Sequence, residues 1–326
     1  MGPDRSDESQ QERKVSANPF DRLAGYDFQY RRVFPHEEGV TRRDPSPVIE
    51  RDGLYHVWYS RNVAGNALPN HGFTATIWHA TSEDGVHWEE EGEAIGRGDS
   101  GSFDECGVFT PTILATGGKY YLYYTAMPIE WKRYRQTTKG AVGVAVADSP
   151  YGPWTKQPES PVLRCSDDPD AFDSLRVDDT CIVPRNGRYW MYYKGRQWDT
   201  SPQLTKMGLA RADDPLGPWT KYDGNPVLNS GHEVCVWPHG DGVACLVSDS
   251  GLQGNTLQYS DDGIHFWKAA DADPPKAPGP YRRDDFRDGY GPGITWGLCV
   301  GDAGTDWPSL LRFDCRLESP EPEDAG

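Results

Sequence analysis

The sequence predicts an all-β fold: a five-bladed β-propeller with a short N-terminal arm. The first observation behind this prediction is a recurring pattern, in which a strand ending in small residues leads through a turn to Gly and Trp. Its copies read ATSEDGVHW at 80–88, ADSPYGPWT at 147–155, ADDPLGPWT at 212–220 and YSDDGIHFW at 259–267. Repetition of one all-β unit is the sequence signature of a propeller or a similar repeat architecture.

The segments around these copies also resemble short strands. Tyrosine-rich runs precede the first three copies: YHVWYSR (55–61), YYLYYTA (120–126) and YWMYYKG (189–195). The 326 residues include 36 Gly and 27 Pro, which is typical of many short strands joined by tight turns. Because a repeat unit completes its core only against its neighbours, we expect a single propeller domain over residues 39–317.

Shorter segments flank this domain. Residues 1–17 are charged and rich in Ser and Gln, which predicts a disordered tail. Residues 18–38 are expected to form an arm, with or without a short helix, that packs on another surface. Residues 318–326 are acidic and Pro-rich and predict a second disordered tail.

Four of the repeats can be registered on the glycine expected at the turn between their first two strands: Gly53, Gly118, Gly187 and Gly242. Nine residues before each glycine, at the expected start of the first strand, lie Asp44, Phe109, Asp178 and Glu233. A fifth, degenerate unit surrounds residues 291–304. Because the first strand of each propeller blade lines the central channel, the three carboxylates are predicted to face one pocket.

Charge and cysteine content exclude several classes of function. The formal net charge is −17, which disfavours nucleic acid, anionic membranes and polyanionic substrates as partners. The seven cysteines are odd in number and no two are spaced CxxC, which favours a reducing compartment. The polar N-terminus has no apolar run typical of a signal peptide, and no stretch has the length of a membrane span. We therefore expect a cytoplasmic protein.

Two opposed carboxyl groups are the machinery of glycoside hydrolysis. One, when ionised, activates water or attacks the anomeric carbon, and the other protonates the leaving oxygen. Crowding of like charges raises at least one pKa, and a third carboxylate can orient or tune the acid. The 12 Trp and 17 Tyr suit sugars, whose C–H faces stack on aromatic rings. No HExxH motif occurs among the eight histidines, so the sequence predicts no metal site. Binding of a divalent cation in the central channel stays an open alternative.

Residues 40–310 resemble glycoside hydrolase family 117, whose members are five-bladed propellers related to families 43 and 32. The similarity is carried, in order, by RDPSPVI, ATIWHATSEDGVHW, FDECGVFTPTIL, RVDDTCIV and NSGHEVCVWP. It implies an exo-acting, inverting hydrolase that releases 3,6-anhydro-L-galactose from the non-reducing end of neoagaro-oligosaccharides. It also implies a homodimer, formed through the N-terminal arm.

The resemblance also implies catalytic roles. Asp44 would be the general base. Asp178 or Asp179 would be the carboxylate that tunes and orients the acid, and the repeat register favours Asp178. Glu233 would be the third carboxylate, near the leaving group. Agar-active members carry a proton-donating His where this chain has Asn225, and an amide cannot supply a proton. The acid is then Glu233 itself or His232, or else the substrate differs.

Further residues are predicted to contact the sugar. They are Glu105, Thr110, Trp131, Arg176, Asn225 and His239. The first predicted function is hydrolysis of a small, largely neutral oligosaccharide. Alternatives are an arabinofuranosidase, xylosidase or galactofuranosidase of the family 43 kind, and a non-catalytic sugar-binding propeller. The repeat tryptophans are assigned to blade packing and not to the site.

Overall fold

The structure is a computed structural model that describes most of the chain: residues 18–20, 27–63, 74–128, 138–232, 235–248, 251–303 and 305–319. Two residues predicted to belong to the site, Trp131 and Glu233, lie outside the described residues, as do both predicted tails except Glu318 and Ser319.

The described elements are strands, apart from one 3₁₀ turn at Pro202–Leu204. The arm supplies β1 (Gln29–Arg32). Unit 1 contains β2 (Val40–Arg43), β3 (Ile49–Arg51), β4 (Leu54–Val63), β5 (Thr76–Ser82) and β6 (Glu89–Ile95). Unit 2 contains β7 (Gly107–Thr116), β8 (Lys119–Met127), β9 (Ala141–Ala147), β10 (Thr155–Lys156) and β11 (Leu163–Arg164). Unit 3 contains β12 (Arg176–Arg185), β13 (Arg188–Arg196), β14 (Lys206–Ala212) and β15 (Thr220–Lys221). Unit 4 contains β16 (Cys235–Gly240), β17 (Gly242–Val247), β18 (Thr256–Ser260) and β19 (Trp267–Asp271), and unit 5 contains β20 (Gly279–Pro280), β21 (Gly291–Gly301) and β22 (Ser309–Glu318).

Paired strands within each unit are antiparallel, and most pair with the next strand along the chain. The exceptions are β2, which pairs with β4, and β11, which pairs with β9. Units 1, 2 and 3 each form a separate sheet. Units 4 and 5 join through β16 and β21 into one eight-stranded sheet, and β1 adds to its edge against β22. The all-β prediction is confirmed. The number of blades stays a prediction, since the described strands form four sheets.

The hairpin turns explain three of the four registering glycines. Gly53, Gly118 and Gly187 have φ of +80°, +74° and +70° and follow another residue of positive φ, as a two-residue turn between twisted strands requires. The expectation for Gly242 is wrong, because Gly242 is the first residue of β17. The turn there is Gly240–Asp241, and only Gly240 has positive φ. The unit 4 register is therefore one residue out, and counting nine residues back from Asp241 gives His232.

The aromatic residues of the recurring pattern pack one unit on the previous one. Trp154 of unit 2 lies edge-on to Trp58 of unit 1, and Trp219 of unit 3 lies edge-on to Tyr123 of unit 2, with ring centroids 5.7 and 6.0 Å apart. In unit 4 this contact is made by Phe266, at 6.1 Å from Tyr192. The predicted packing role of the repeat tryptophans is confirmed for these two positions.

The last unit also contacts the first. The amide of Val48 donates to the Pro280 carbonyl at 3.0 Å, and that of Arg42 donates to the Pro308 carbonyl at 2.9 Å. Gly85, in the pattern of unit 1, has φ +70°, and a Cβ there would lie 2.8 Å from the Trp296 ring of unit 5. Together with the contacts between successive units, these contacts close the five units into a ring.

The arm packs on the same chain in its described residues. Phe20 is fully buried and stacks on His239 at 4.3 Å, while the Asn18 amide donates to the Ala269 carbonyl at 3.0 Å. These described residues and β1 contain no helix. Exchange of the arm between two copies of the chain stays a prediction.

Two further features follow from the described residues. All seven cysteines are present as free thiols. Burial raises the pKa of Cys165 to about 12 and that of Cys181 to about 11, as expected for thiols that act as small apolar side chains. Within the described ranges, no helix is long and apolar enough to cross a membrane.

An ion pair between a buried carboxylate and a partly exposed lysine is repeated in units 2 and 3. In unit 3, Lys221 donates to the Asp173 carboxylate at 2.6 Å and the Tyr193 hydroxyl donates to it at 2.9 Å. In unit 2, Lys156 and the Tyr124 hydroxyl donate to the Asp104 carboxylate at 2.6 and 3.3 Å. We expect Asp173→Ala to lower the free energy of unfolding by about 2–3 kcal/mol, because it leaves an ammonium and a hydroxyl without their acceptor. Urea denaturation measures this loss.

The control for this prediction is Asp213→Ala, which breaks an exposed pair with Arg188. Surface pairs contribute about 0–1 kcal/mol, so this variant should unfold close to the wild type. Equal losses in the two variants would contradict the assigned role of Asp173.

A buried histidine pair should make stability depend on pH. His56 Nδ1 lies 3.0 Å from His79 Nε2, and burial lowers both pKa values, that of His79 to about 3. Below pH 6.5 the unfolded chain binds a proton at His79 that the native state does not, so stability falls as the pH falls. From pH 7 to 5, His79 alone should account for about 2 kcal/mol of lost unfolding free energy.

The measurement compares urea unfolding of the wild type and His79→Gln at pH 7 and pH 5. The variant should lose about 2 kcal/mol less than the wild type over this interval. The control is the single variant His87→Gln, which makes the same change at an exposed histidine and should keep the full pH dependence of the wild type. If His79→Gln keeps it too, the histidine pair is not its source.

Candidate active site

One cavity of about 320 Å³ receives a segment from every unit. Its walls include Arg43, Asp44, Pro45 and Pro47 from unit 1, Phe109–Thr112 from β7, Arg176 and Asp178–Ile182 from β12, His232, Cys235 and Val236 from unit 4, and Ala277, Pro278, Pro280 and Arg282 from unit 5. Lys194 and Arg196 from β13 and Pro202 and Thr205 beyond it complete the lining. The ring of units thus brings distant parts of the sequence around one space.

The backbone takes the same unusual conformation at four points of this wall. Asp44, Thr110, Asp179 and Ala277 have φ of 52°, 45°, 46° and 45°. Such left-handed conformations are costly for residues other than glycine and cluster at functional sites. In β7 and β12 the pairing register shifts at this point, as in a β-bulge, which re-aims side chains. By backbone conformation the counterpart of Asp44 is Asp179, whereas the sequence register favoured Asp178.

Asp44 is almost completely buried at the end of β2. Its side chain is 10% exposed, and both carboxylate oxygens accept hydrogen bonds from Arg43 Nε, at 2.9 and 3.1 Å. An opposite charge at this distance favours the ionised form of a carboxyl group. An ionised carboxylate held at a cavity wall has the properties that a general base needs.

Asp178 and Asp179 share one cation. Lys194 Nζ lies 3.4 Å from Asp178 Oδ1 and hydrogen-bonds closely to Asp179 Oδ2. Burial acts to raise the pKa of Asp179, but Lys194, His232 and Arg43 together bring it below its usual value. Burial, with the neighbouring Asp179, raises the pKa of Asp178 to about 6 against the opposing charge of Lys194. The two carboxyl groups therefore differ in pKa, and Asp178 binds a proton more readily than Asp179 does.

His232 is half-buried in the cavity wall. Its imidazole contributes to lowering the pKa of Asp179, and its carbonyl accepts a short hydrogen bond from the Ser248 hydroxyl, which follows β17. An imidazole can donate or accept a proton near neutral pH. This placement is compatible with its predicted role as second-choice acid.

Six of the described residues predicted for the site line this cavity: Asp44, Asp178, Asp179, His232, Thr110 and Arg176. Thr110 is fixed by its hydroxyl, 2.5 Å from that of Thr125, and by its amide, which donates to the Ser60 hydroxyl at 2.8 Å. Arg176 donates to the Thr138 carbonyl at 2.9 Å. The catalytic and binding roles of all six stay predictions.

Three predicted contacts lie elsewhere. Asn225 bonds to the Leu209 amide and carbonyl at 2.8 and 2.9 Å, so its side chain extends the edge of β14 and lines a separate pocket with Lys221 and Tyr222. His239 is fully buried under Phe20, at the far end of β16, about 13 Å along the strand from its cavity end.

Glu105 is the third. It accepts from the Gly101 amide at 2.6 Å and the Ser100 hydroxyl at 3.2 Å, which stabilises its own loop before β7. Asn225 also lies away from the cavity. The presence of Asn, where a proton-donating His was expected, therefore does not affect the described site.

Sequence reasoning missed a set of cations in the wall. They are Arg43, Lys194, Arg196 and Arg282. Alternation along β13 was an available signal, since Lys194 and Arg196 are two residues apart and point to the same face of a strand. Arg282 offered no such signal, because it follows a two-residue strand. Among the described residues no three His, Cys, Asp or Glu side chains are grouped as metal ligands.

This geometry can be compared with known proteins. The structure is similar to that of Zg3597, a family 117 glycoside hydrolase from the marine bacterium Zobellia galactanivorans, with a TM-score of 0.81 and 34% identity over 92% of each chain. The chain belongs to glycoside hydrolase family 117. This membership confirms the resemblance found in the sequence.

The chain is also similar to more distant glycoside hydrolases and to an uncharacterized protein. The model for glycosyl hydrolases family 43 matches residues 39–180, which include Asp44, Asp178 and Asp179. Fructan 1-exohydrolase of Hordeum vulgare is 29% identical over 64% of this chain, and an uncharacterized Mycobacterium tuberculosis protein is 26% identical over 53%. The chain spans 32% and 54% of these two relatives. The fold of fructan 1-exohydrolase IIa from Cichorium intybus is similar, with a TM-score of 0.59 and 15% identity over 91% of this chain and 61% of that one.

Proposed function

We propose that this family 117 chain is an exo-acting, inverting glycoside hydrolase that releases a terminal 3,6-anhydro-L-galactose-like sugar from a small oligosaccharide. The observation that carries the proposal is the convergence of Asp44 with the Asp178–Asp179 pair on one cavity. Asp44 on one wall suits activation of water, and the acidic pair on another wall suits orientation of the sugar, while a separate group protonates the leaving oxygen.

In the proposed mechanism, Asp44 binds a water molecule and removes its proton as the oxygen attacks the anomeric carbon. Asp179, kept ionised by Lys194, accepts hydrogen bonds from sugar hydroxyls or stabilises positive charge that develops on the ring. Glu233 or His232 donates a proton to the departing oxygen. One proton leaves the water and another reaches the leaving group, so the step balances without a cofactor.

We infer a five-bladed propeller from the ring of units. Units 4 and 5 share a sheet, but each repeats the antiparallel order of the other three. A closed ring of short sheets leaves one end of each first strand at the central cavity, which suits an exo-acting enzyme that holds the end of a chain.

Product analysis tests the function. The protein is incubated with neoagaro-oligosaccharides, and NMR follows the released sugar and the configuration of its first-formed anomer. Release of one terminal unit with inversion supports the proposal. Retention of configuration would contradict the inverting mechanism, and binding of every sugar without turnover would favour a non-catalytic propeller.

A second candidate is hydrolysis of another linkage by the same carboxylates. It is favoured by the family 43 match over residues 39–180 and by the similarity to fructan exohydrolases. Arabino-oligosaccharides, xylo-oligosaccharides and inulin-type fructans therefore belong in the same panel. Turnover of one of these, with none of the neoagaro series, would select this candidate over the first.

A further inference from the structure

The connection between β13 and β14, residues 197–205, borders the cavity. Two of its residues, Pro202 and Thr205, line the cavity wall. The connection follows Arg196, which pairs with Arg176 at the start of β12. It therefore lies at the same end of the cavity as the acidic pair of β12.

Residues at the base of this connection face two different spaces. Arg196 and Thr205 line the central cavity, whereas their neighbours Gln197 and Lys206 line a second pocket of about 440 Å³. Successive residues of a strand point to opposite faces of the sheet. The two spaces therefore lie on opposite faces of one β-hairpin, and the 197–205 connection lies between them.

The second pocket has the chemistry of a sugar-binding surface. The loops before β12 and after β15 form its other walls, with Asp170 and Phe172 from the first and Tyr222 from the second. The ring of Phe172 packs over Gly195 and Gly208, where a Cβ would lie only 2.3 and 2.6 Å from it. Polar side chains beside positioned aromatic rings suit sugars, whose hydroxyls need hydrogen-bond partners and whose C–H faces pack on rings.

Trp198 is an exposed aromatic residue of the same connection. It keeps 37% of its surface exposed, and Leu204 keeps 57%. The backbone around it is fixed, because the Trp198 amide donates to the Ser174 hydroxyl at 2.8 Å and the Thr200 hydroxyl donates to the Gln197 carbonyl at 2.8 Å. Large apolar side chains held in exposed positions beside a cavity are typical of a binding surface, and a rigid indole loses little conformational entropy on binding.

The size of the central cavity limits how much of an oligosaccharide it can enclose. Its volume of about 320 Å³ is at the lower end of the range for small-molecule sites. An exo-acting enzyme holds the end of the chain in such a cavity, so the remaining units of a longer substrate must leave across its border. The 197–205 connection forms part of that border, and the second pocket lies on its other side.

We propose that Trp198 and the second pocket form an accessory subsite for neutral sugar units of the oligosaccharide that lie beyond the disaccharide at the cleaved bond. Trp198 stacks on the ring of one unit, and Gln197 and Lys206 donate hydrogen bonds to hydroxyls of that unit or the next. The proposal rests on the proposed function for the exo-acting mode that places the chain end in the cavity. It makes affinity depend on the length of the substrate.

Kinetics with substrates of two lengths test the subsite. The probes are neoagarobiose and neoagarohexaose, and calorimetry makes the same comparison with the disaccharides and hexasaccharides of the arabino and xylo series. In the series that the protein accepts, KM or Kd of the wild type should be about tenfold lower for the hexasaccharide, because only this sugar reaches the indole. Equal values for the two lengths would overturn the proposal.

Variants then locate the gain in affinity. Trp198→Ala should raise KM for the hexasaccharide about tenfold, towards that for the disaccharide, with a much smaller change in kcat. Trp198→Phe keeps a ring and should retain part of the gain. Tyr30→Ala, the same truncation at an exposed aromatic residue of β1, is the matched control and should keep all of it. A gain that persists in a folded Trp198→Ala, or an equal loss for both lengths, would overturn the proposal.

A second variant covers the case in which Trp198→Ala melts early. Gln197→Ala leaves the indole in place and removes one hydrogen-bonding group of the second pocket, so it should lower the gain about threefold. If Gln197→Ala keeps the full gain in that case, the accessory subsite is wrong.

The accessory subsite and the proposed function can fail separately. If the protein releases the terminal sugar of neoagarobiose and neoagarohexaose with equal KM, the function stands and the subsite fails. If only an arabino or xylo series binds, and its gain with length is lost in Trp198→Ala, the subsite stands and the release of an anhydrogalactose-like sugar fails. Absence of binding by every sugar of the panel would overturn both.

Discussion

Asp44→Asn should lower kcat by about two to four orders of magnitude on the substrate that product analysis identifies. The substitution keeps the size of the side chain but removes the carboxylate that takes the proton of the attacking water. General-base catalysis contributes about 10²–10⁴-fold, and an amide cannot replace it. Asn also tolerates the left-handed backbone of this position, where φ is 52°. The measurement is initial-rate kinetics with the purified variant.

Asp52→Asn is the matched control for this prediction. Asp52 lies in the β3–β4 turn of the same unit, is exposed and has φ of 53°, so the same chemical change meets the same backbone conformation away from the cavity. This variant should keep the activity of the wild type. If Asp44→Asn retained a tenth or more of wild-type kcat, Asp44 would not be the general base.

Lys194→Met should have the second-largest effect, about a hundredfold loss of kcat at pH 7. The ammonium favours the ionised forms of both Asp178 and Asp179, and its removal leaves two buried carboxyl groups side by side. The pKa values of both must then rise, because burial and like charge act without an opposing cation. The acidic limb of the pH–rate profile should move to higher pH, with activity recovering as the pH rises.

Lys194→Arg distinguishes this electrostatic role from packing. A guanidinium restores the positive charge, so the pH–rate profile should return towards that of the wild type even if the geometry lowers kcat. A Lys194→Met profile that keeps its wild-type position, at whatever rate, would show that Lys194 serves only to fill space. Circular dichroism and melting curves check that each variant is folded.

Much of the fold was accessible from the sequence because its signals are local. Strand alternation and the turn residues at Gly53, Gly118 and Gly187 depend only on neighbouring residues, and each repeat carries them again. The one registering glycine that failed, Gly242, belongs to a hairpin whose turn lies one residue earlier. Counting from a glycine assumes equal turns in every unit, and only the observed pairing shows where a turn has shifted.

The candidate site was predictable in part for the same reason. Asp44 follows the end of β2 and the pair at 178–179 lies near the start of β12, and the ring of units brings these two positions to one cavity. The family resemblance points to Asn225, and proximity in sequence to Glu233 points to His239. Their positions depend on which edge of β14 and which end of β16 they occupy, and sequence distance carries no information about that.

The sequence by itself determined that the chain repeats one all-β unit, where most of its turns lie, and that an aspartate recurs nine residues before two of the turn glycines, Gly53 and Gly187. Only the tertiary structure decided that Lys194 joins Asp178 to Asp179, and that this pair lies in the wall of the same cavity as Asp44 and Arg282. The physical reason is that alternation and turns are properties of adjacent residues. The charge of a cavity is the sum over side chains that only long-range strand pairing and the closure of the ring bring within reach of one another.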